Sequence, residues 1–181
     1  SFTYSCASTC DPNSFFIHLM LMYNTIMFKN KFLTFILFFI ITYSASVIGG
    51  LATINFKEPW YSLLSKPTFN PPDWIFAPVW TTLYLMMTIA IWNFWHSKNR
   101  DMNTVYIYFI HLIFNTTWSI VFFVFHKMVL ALIVLALLIC LIIILLFRFR
   151  RVNMLSFYMM IPYLLWCSFA LILNLNLIVL N

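Results

Sequence analysis

Met128–Phe147, MVLALIVLALLICLIIILLF, is a run of twenty residues without a charge, an amide or a proline. At 1.5 Å per residue a helix of this length crosses the roughly 30 Å hydrocarbon layer of a bilayer. Four further apolar stretches flank it, at about 32–56, 75–95, 104–125 and 155–180. Backbone N–H and C=O groups have no water to bond at that depth, so each stretch is expected to be helical in spite of its β-branched residues. Alternating segments of about ten residues, which a membrane β-barrel requires, are absent. Short joints such as His126–Lys127 and 148–153 make the helices they connect antiparallel. The expected fold is an all-α membrane protein, a bundle of five transmembrane helices.

Composition agrees. The chain has 181 residues, 64% apolar and only 8% charged, with a mean hydropathy of +0.97. Soluble domains carry about 25% charged residues, so the lipid bilayer is the partner this chain requires. Ten Lys and Arg against four Asp and Glu give a net charge of +6, but no basic face is interleaved with aromatics and no nucleic-acid partner is expected. Instead the basic residues cluster between apolar runs. Lys29, Lys31, Lys98, Arg100, Arg148, Arg150 and Arg151 fall on one side, against Lys57, Lys66 and Lys127 on the other, which favours an N-terminus inside.

Residues 1–26 stand apart: a polar start precedes an apolar run, 15–22, too short to span. Met27-Phe-Lys-Asn-Lys reads as the beginning of the domain, 27–181. The preceding stretch is expected to be a poorly ordered extension, either not native to the protein or a weak targeting or interfacial segment. Cys6 and Cys10 have only His18 nearby and make no zinc pattern, while Cys140 and Cys167 lie in apolar runs as small hydrophobes.

The 57–74 joint, KEPWYSLLSKPTFNPPDW, is the longest between helices and is unlike a linker. It holds four of the seven prolines and no glycine. Pro59, Pro67, Pro71 and Pro72 restrict their own torsions and those of the residues before them. Such a loop loses little entropy on closing over a ligand and is suited to be a stiff lid. Asp73 is placed to cap the second helix.

Several ordered motifs carry a resemblance. Trp60-Tyr61, Leu64-x-Lys66-Pro67, Pro71-Pro72-x-Trp74-x-Phe76-x-Pro78-Val79-Trp80 and Leu83-Tyr84 are followed by Asn115-x-x-Trp118-Ser119 and Phe122-Phe123. Pro162-Tyr163-Leu164-x-Trp166-x-x-Phe169-Ala170-x-x-Leu173-Asn174 and the final Leu180-Asn181 complete the set. Together, over about 30–181, they resemble the TspO/MBR family. The resemblance implies a five-helix bundle binding tetrapyrroles such as protoporphyrin IX or haem, and in some members sterols and synthetic aromatics, between the first, second and fifth helices beneath the first loop. It also implies membership of a group that often forms homodimers, in bacterial membranes or the mitochondrial outer membrane.

On that resemblance Trp60, Trp74, Trp80, Tyr84, Tyr163, Trp166 and Asn174 are the candidate ligand-binding residues. Indoles offer flat faces for a conjugated macrocycle, and the tyrosines an apolar body with a hydroxyl. Trp92 and Trp95 are expected in the interfacial belt. Asn115 is expected to hold helices together, because an unpaired amide in hydrocarbon is costly. His111, where the family often has glutamine, is expected to be a packed neutral imidazole rather than a haem ligand. The fifth helix lacks the Tyr-then-basic pair of the weak sterol motif, so sterol is the less favoured ligand.

The leading expectation is a membrane binding protein for tetrapyrroles, acting in their homeostasis, sensing or trafficking. The alternatives are an enzyme that degrades porphyrin in light and a transporter. No nucleophile–base pair, metal centre or nucleotide motif supports ordinary enzyme chemistry, and no catalytic or metal-binding residue is expected. Against a coupled carrier, no acidic residue lies in a span and no inverted repeat is visible.

Overall fold

The computed structural model describes residues 30–181. The expectation for residues 1–26 lies outside the described residues. Five helices are long and apolar enough to cross a membrane: α1 (Lys31–Phe56), α2 (Asp73–Trp95), α3 (Met102–Val124), α4 (Met128–Val152) and α5 (Met154–Leu180). No strand occurs among the described residues. The chain is an integral, multi-pass membrane protein.

Around the bundle the helices follow the order α1, α2, α5, α4, α3 and back to α1. The consecutive helices α2 and α3 therefore barely meet, whereas α3, α4 and α5 pack as successive antiparallel neighbours. Polar residues at the joints start the helices. Asn30 accepts from the N–H groups of Phe32 (3.0 Å) and Leu33 (3.4 Å), and Asp101 from that of Thr104 (2.8 Å). Asn153 alone separates α4 from α5. Its Oδ1 accepts from Ser156 N–H (3.1 Å) while its Nδ2 donates to Ser97 Oγ (2.9 Å), fixing this corner to the end of α2. Each cap satisfies donors that a helix start leaves free.

Three expectations need correction. α4 runs to Val152 rather than stopping at residue 147, so Arg148, Arg150 and Arg151 are helical. Arginine is a good helix former and its charge suits the negative end of the helix dipole. Asp73 does not cap α2: Pro72 occupies that place without a side-chain bond, and the Asp73 carboxylate instead pairs with Lys57. Trp95 is 8% exposed, packed against Phe38 (ring centroids 5.8 Å) with the Arg100 guanidinium 4.8 Å over its face, so it belongs to the core rather than to an interfacial belt. Trp92 is half-buried at the same end, and its indole N–H donates to the Lys31 carbonyl (2.8 Å), tying α2 to the start of α1.

Two apolar clusters result. The larger runs through the bundle from Phe38 and Ala45 to Phe149 and Met160 and includes the fully buried Met87, Ile91, Tyr108 and Tyr163. The smaller joins Tyr61 of the loop to Phe122, Phe123, Leu173 and Leu177, with Trp60, Leu64 and Trp118 around it. The 57–74 loop therefore has its own packed underside, resting on the ends of α3 and α5.

Candidate ligand cavity beneath the proline-rich loop

Under that loop lies a cavity of about 420 Å³, within the range of ~300–1,000 Å³ common for small-molecule sites. Its walls come from α1 (Ser46, Gly49, Gly50, Thr53), α2 (Phe76, Ala77, Trp80, Tyr84), α3 (Asn115, Trp118, Phe122, Phe123) and α5 (Trp166, Phe169, Ala170, Leu173, Asn174). Tyr61, Lys57 and Asp73 line its mouth. Ile54, Ala77 and Thr81 line it while also being exposed, so the cavity reaches the surface between α1 and α2. The third helix is thus a full wall, in addition to the first, second and fifth that the resemblance implied.

Local sequence explains how α3 delivers its aromatics. Its last turn, Ile120–Val124, is a π-helix, with Phe125 N–H bonded to the Ile120 carbonyl at 3.2 Å. The wider turn brings the consecutive Phe122 and Phe123 both inward, which α-helical spacing does not favour, and such turns recur at functional sites. His126 ends the segment with a positive φ of 54° and stacks on Trp60 (4.3 Å, 26°). On α1, a Cβ added at Gly49 would come within 3.2 Å of Ser119 Oγ, so the glycine permits close approach of α3. A Cβ at Gly50 would meet nothing within 4 Å, because Gly50 borders the open cavity.

Of the seven candidates, Trp80, Tyr84, Trp166 and Asn174 line the cavity. Trp166 is braced edge-on by Phe76 (5.9 Å) and at a tilt by Phe169 (5.6 Å), and Trp80 leans on Tyr84 (5.7 Å). Asn174 is 2% exposed. In the amide orientation that satisfies both groups it donates to the Met128 carbonyl (3.2 Å) and accepts from Leu132 N–H (3.3 Å), joining α5 to α4. Trp60, Trp74 and Tyr163 do not line it. Trp60 lies behind Phe122, its ring 5.4 Å from it. Trp74 is 74% exposed on the outer face of α2. Tyr163 is fully buried one layer deeper, where its hydroxyl accepts from Asn115 Nδ2 (2.9 Å).

Asn115 is the polar centre beneath the cavity. Its Oδ1 accepts from the Tyr84 hydroxyl while its amide N–H donates to Tyr163, so one side chain holds α2, α3 and α5 together. His111, one turn away, is fully buried but does not face the cavity. Its Nδ1 faces the Tyr108 carbonyl, which can only accept, so the proton sits on Nδ1; Nε2 has no hydrogen-bond partner among the described residues.

Trp118, Phe122, Phe123, Phe76 and Phe169 are wall residues beyond the seven candidates, and all stand in the motifs that carry the resemblance. For Phe169 the signal is periodicity: Trp166, Phe169, Ala170, Leu173, Asn174 and Leu177 follow an i, i+3, i+4 pattern down one face of α5.

The lid is latched at its far end. Asn181 Oδ1 accepts from Ser65 N–H (2.9 Å) and its Nδ2 donates to the Ser65 carbonyl (3.1 Å), as a neighbouring strand would. Within the loop, Tyr61 donates its hydroxyl to Asn70 Oδ1 (3.1 Å). Replacing Asn181 by alanine removes both bonds to Ser65, each worth about 0.5–1.5 kcal/mol net. Amide hydrogen exchange across residues 60–70 in lipid nanodiscs is expected to speed up about tenfold, with the helices unaffected; unchanged exchange would show that the latch carries no weight.

Comparison with known proteins agrees with this architecture. The model of the TspO/MBR family matches residues 35–180. The chain is 37% identical over 125 residues to the tryptophan-rich protein TspO of Chlorobaculum tepidum, covering 67% of this chain and 79% of that one. It is 32% identical to the tryptophan-rich sensory protein of Cereibacter sphaeroides (68% and 78%) and 30% identical to the human translocator protein (64% and 70%). With five spanning helices in hand and a family match that runs from early α1 to the end of α5, the chain belongs to the TspO/MBR family.

Proposed function

We propose that this protein binds a flat, conjugated tetrapyrrole, protoporphyrin IX or haem, in the cavity beneath the 57–74 loop, and that this binding serves tetrapyrrole homeostasis, sensing or trafficking. The observation that supports it most is the wall itself: Trp80, Trp118 and Trp166, with Phe76, Phe122 and Phe169, surround one space of about 420 Å³. A planar macrocycle gains from such faces through apolar burial and about 0.5–1.5 kcal/mol per well-placed ring pair. The side opening between α1 and α2 accommodates substituents too wide for the enclosed part.

The donor set favours binding by shape over binding by iron. Among the described residues that line the cavity there is no histidine, cysteine or methionine. His111 points elsewhere, and His126 is stacked on Trp60. The site therefore offers aromatic surface to either the free base or the iron complex, with none of the usual axial nitrogen or sulfur ligands.

Titrating the purified protein in nanodiscs with protoporphyrin IX tests the reading. Tryptophan fluorescence is expected to be quenched saturably, at one porphyrin per chain, above the quenching that partition into the lipid produces. Linear, unsaturable quenching equal to that of a tryptophan-containing membrane peptide of unrelated fold would overturn it.

A further inference from the structure

Lys57 and Asp73 close the cavity's mouth with an ion pair between the end of α1 and the start of α2, and both line the cavity. The two partners are unequally placed. The Lys57 side chain is 20% exposed, and its ammonium lies 5.2 Å above the Tyr61 ring, whereas the Asp73 side chain is 63% exposed. A second ammonium, that of Lys66, lies 4.6 Å from the same ring. Tyr61 is 5% exposed, and burial, helped by the charge of Asp73, raises its phenol above the usual range. The ring therefore stays neutral and holds both lysines by its face rather than by a charge.

Asp73 can return to water at little cost, whereas Lys57, more covered and seated over the Tyr61 ring, gains more from a counter-charge where it stands. We infer that Lys57 is the specificity residue of the cavity, selecting ligands that carry a carboxylate at one edge of an apolar body, and that the ligand's acid takes the place of Asp73 on the Lys57 ammonium. Asp73 then acts as an internal stand-in for that acid, keeping Lys57 paired until the ligand arrives. Glu58, 3.9 Å from Lys57 and 55% exposed, lies on the solvent side and holds the lysine less closely than Asp73 does. The class selected is an amphiphile: an aromatic or polycyclic body of cavity size, with an acid near its rim. Neutral sterols lack the acid.

The inference rests on the tetrapyrrole reading, and the probes separate the two. Protoporphyrin IX, a dicarboxylic acid, and its dimethyl ester share one ring system and differ in charge. The unmodified protein in neutral-lipid nanodiscs is expected to bind the acid at least tenfold more tightly than the ester. Lys57→Met should lose that preference while keeping ester affinity, which also reports that the cavity remains formed. Lys57→Arg should keep it. Asp73→Asn removes the competitor and should tighten acid binding several-fold with the ester unchanged. Equal affinity for acid and ester in the unmodified protein, or a preference that survives Lys57→Met, overturns the role of Lys57 alone. Saturable binding of neither porphyrin overturns both this inference and the tetrapyrrole reading.

Discussion

Asn115→Leu is expected to destabilise the bundle by about 2–4 kcal/mol, the largest effect of any single polar substitution in the spans. Two hydrogen bonds are lost: the Tyr84 hydroxyl, 4% exposed, is left without its partner, and the Tyr163 hydroxyl, 0% exposed, keeps only its contact with the Cys167 thiol. An orphaned buried hydroxyl costs about 1–3 kcal/mol. Interhelical bonds in membrane proteins average nearer 0.6 kcal/mol, because the separated helices find other partners. Here the lower figure does not apply to the whole sum, since both tyrosines lie inside the bundle rather than against lipid. Thermal unfolding in nanodiscs measures the total. A double-mutant cycle pairing Asn115→Leu with Tyr84→Phe isolates one bond and is expected to give a coupling of about 0.5–2 kcal/mol. A coupling near zero would mean that Asn115 serves the cavity alone.

Much of the architecture was legible because lipid permits so few solutions. Charge-free runs such as 128–147 leave the backbone only the helix, and the two-residue joint His126–Lys127 leaves α3 and α4 only an antiparallel arrangement. The interhelical role of Asn115 follows from the same physics. What the sequence does not display is which face of each helix turns inward. A soluble amphipathic helix marks that face by polarity, but here the lipid-facing and core-facing sides are both apolar. Ile143 and Ile144 are 38% and 42% exposed while Ile142 is fully buried, and nothing in the three identical residues distinguishes them.

The same limit shaped the site. Trp74 and Trp80 belong to one motif, six residues apart on α2, yet six residues is nearly two-thirds of a turn beyond a whole one. One indole therefore faces outward and the other faces the cavity. Phe122 and Phe123 could not be placed by helical spacing, because the π turn that carries them breaks it. Asp73 reads as a helix cap by its position after two prolines. Its pairing with Lys57 depends on the distance between the ends of α1 and α2, which a residue separation of sixteen does not reveal.

These placements lead to the second large effect, a division among tryptophans. Trp166→Ala and Trp118→Ala are each expected to weaken protoporphyrin IX binding about 10–100-fold, whereas Trp74→Ala should leave it within about twofold. Removal of a wall indole forfeits its ring contact with the ligand and part of its apolar burial, together about 1.5–3 kcal/mol, and each 1.4 kcal/mol is a factor of ten. Trp166 also holds Phe76 and Phe169 in place across the α2–α5 wall, so its loss loosens two further rings. Trp118 stacks on Phe122 (5.6 Å, 25°), and its indole N–H has no hydrogen-bond partner among the described residues. Trp118→Phe keeps an aromatic face and should recover most of the loss, which separates stacking from that donor. Trp74 is 74% exposed and away from the cavity, so its substitution controls for any general effect of removing an indole at this end. Fluorescence of the remaining tryptophans, or the porphyrin's own absorbance, supplies the binding curves. Equal losses at Trp74 and Trp166 would overturn the assignment of the ligand to the cavity.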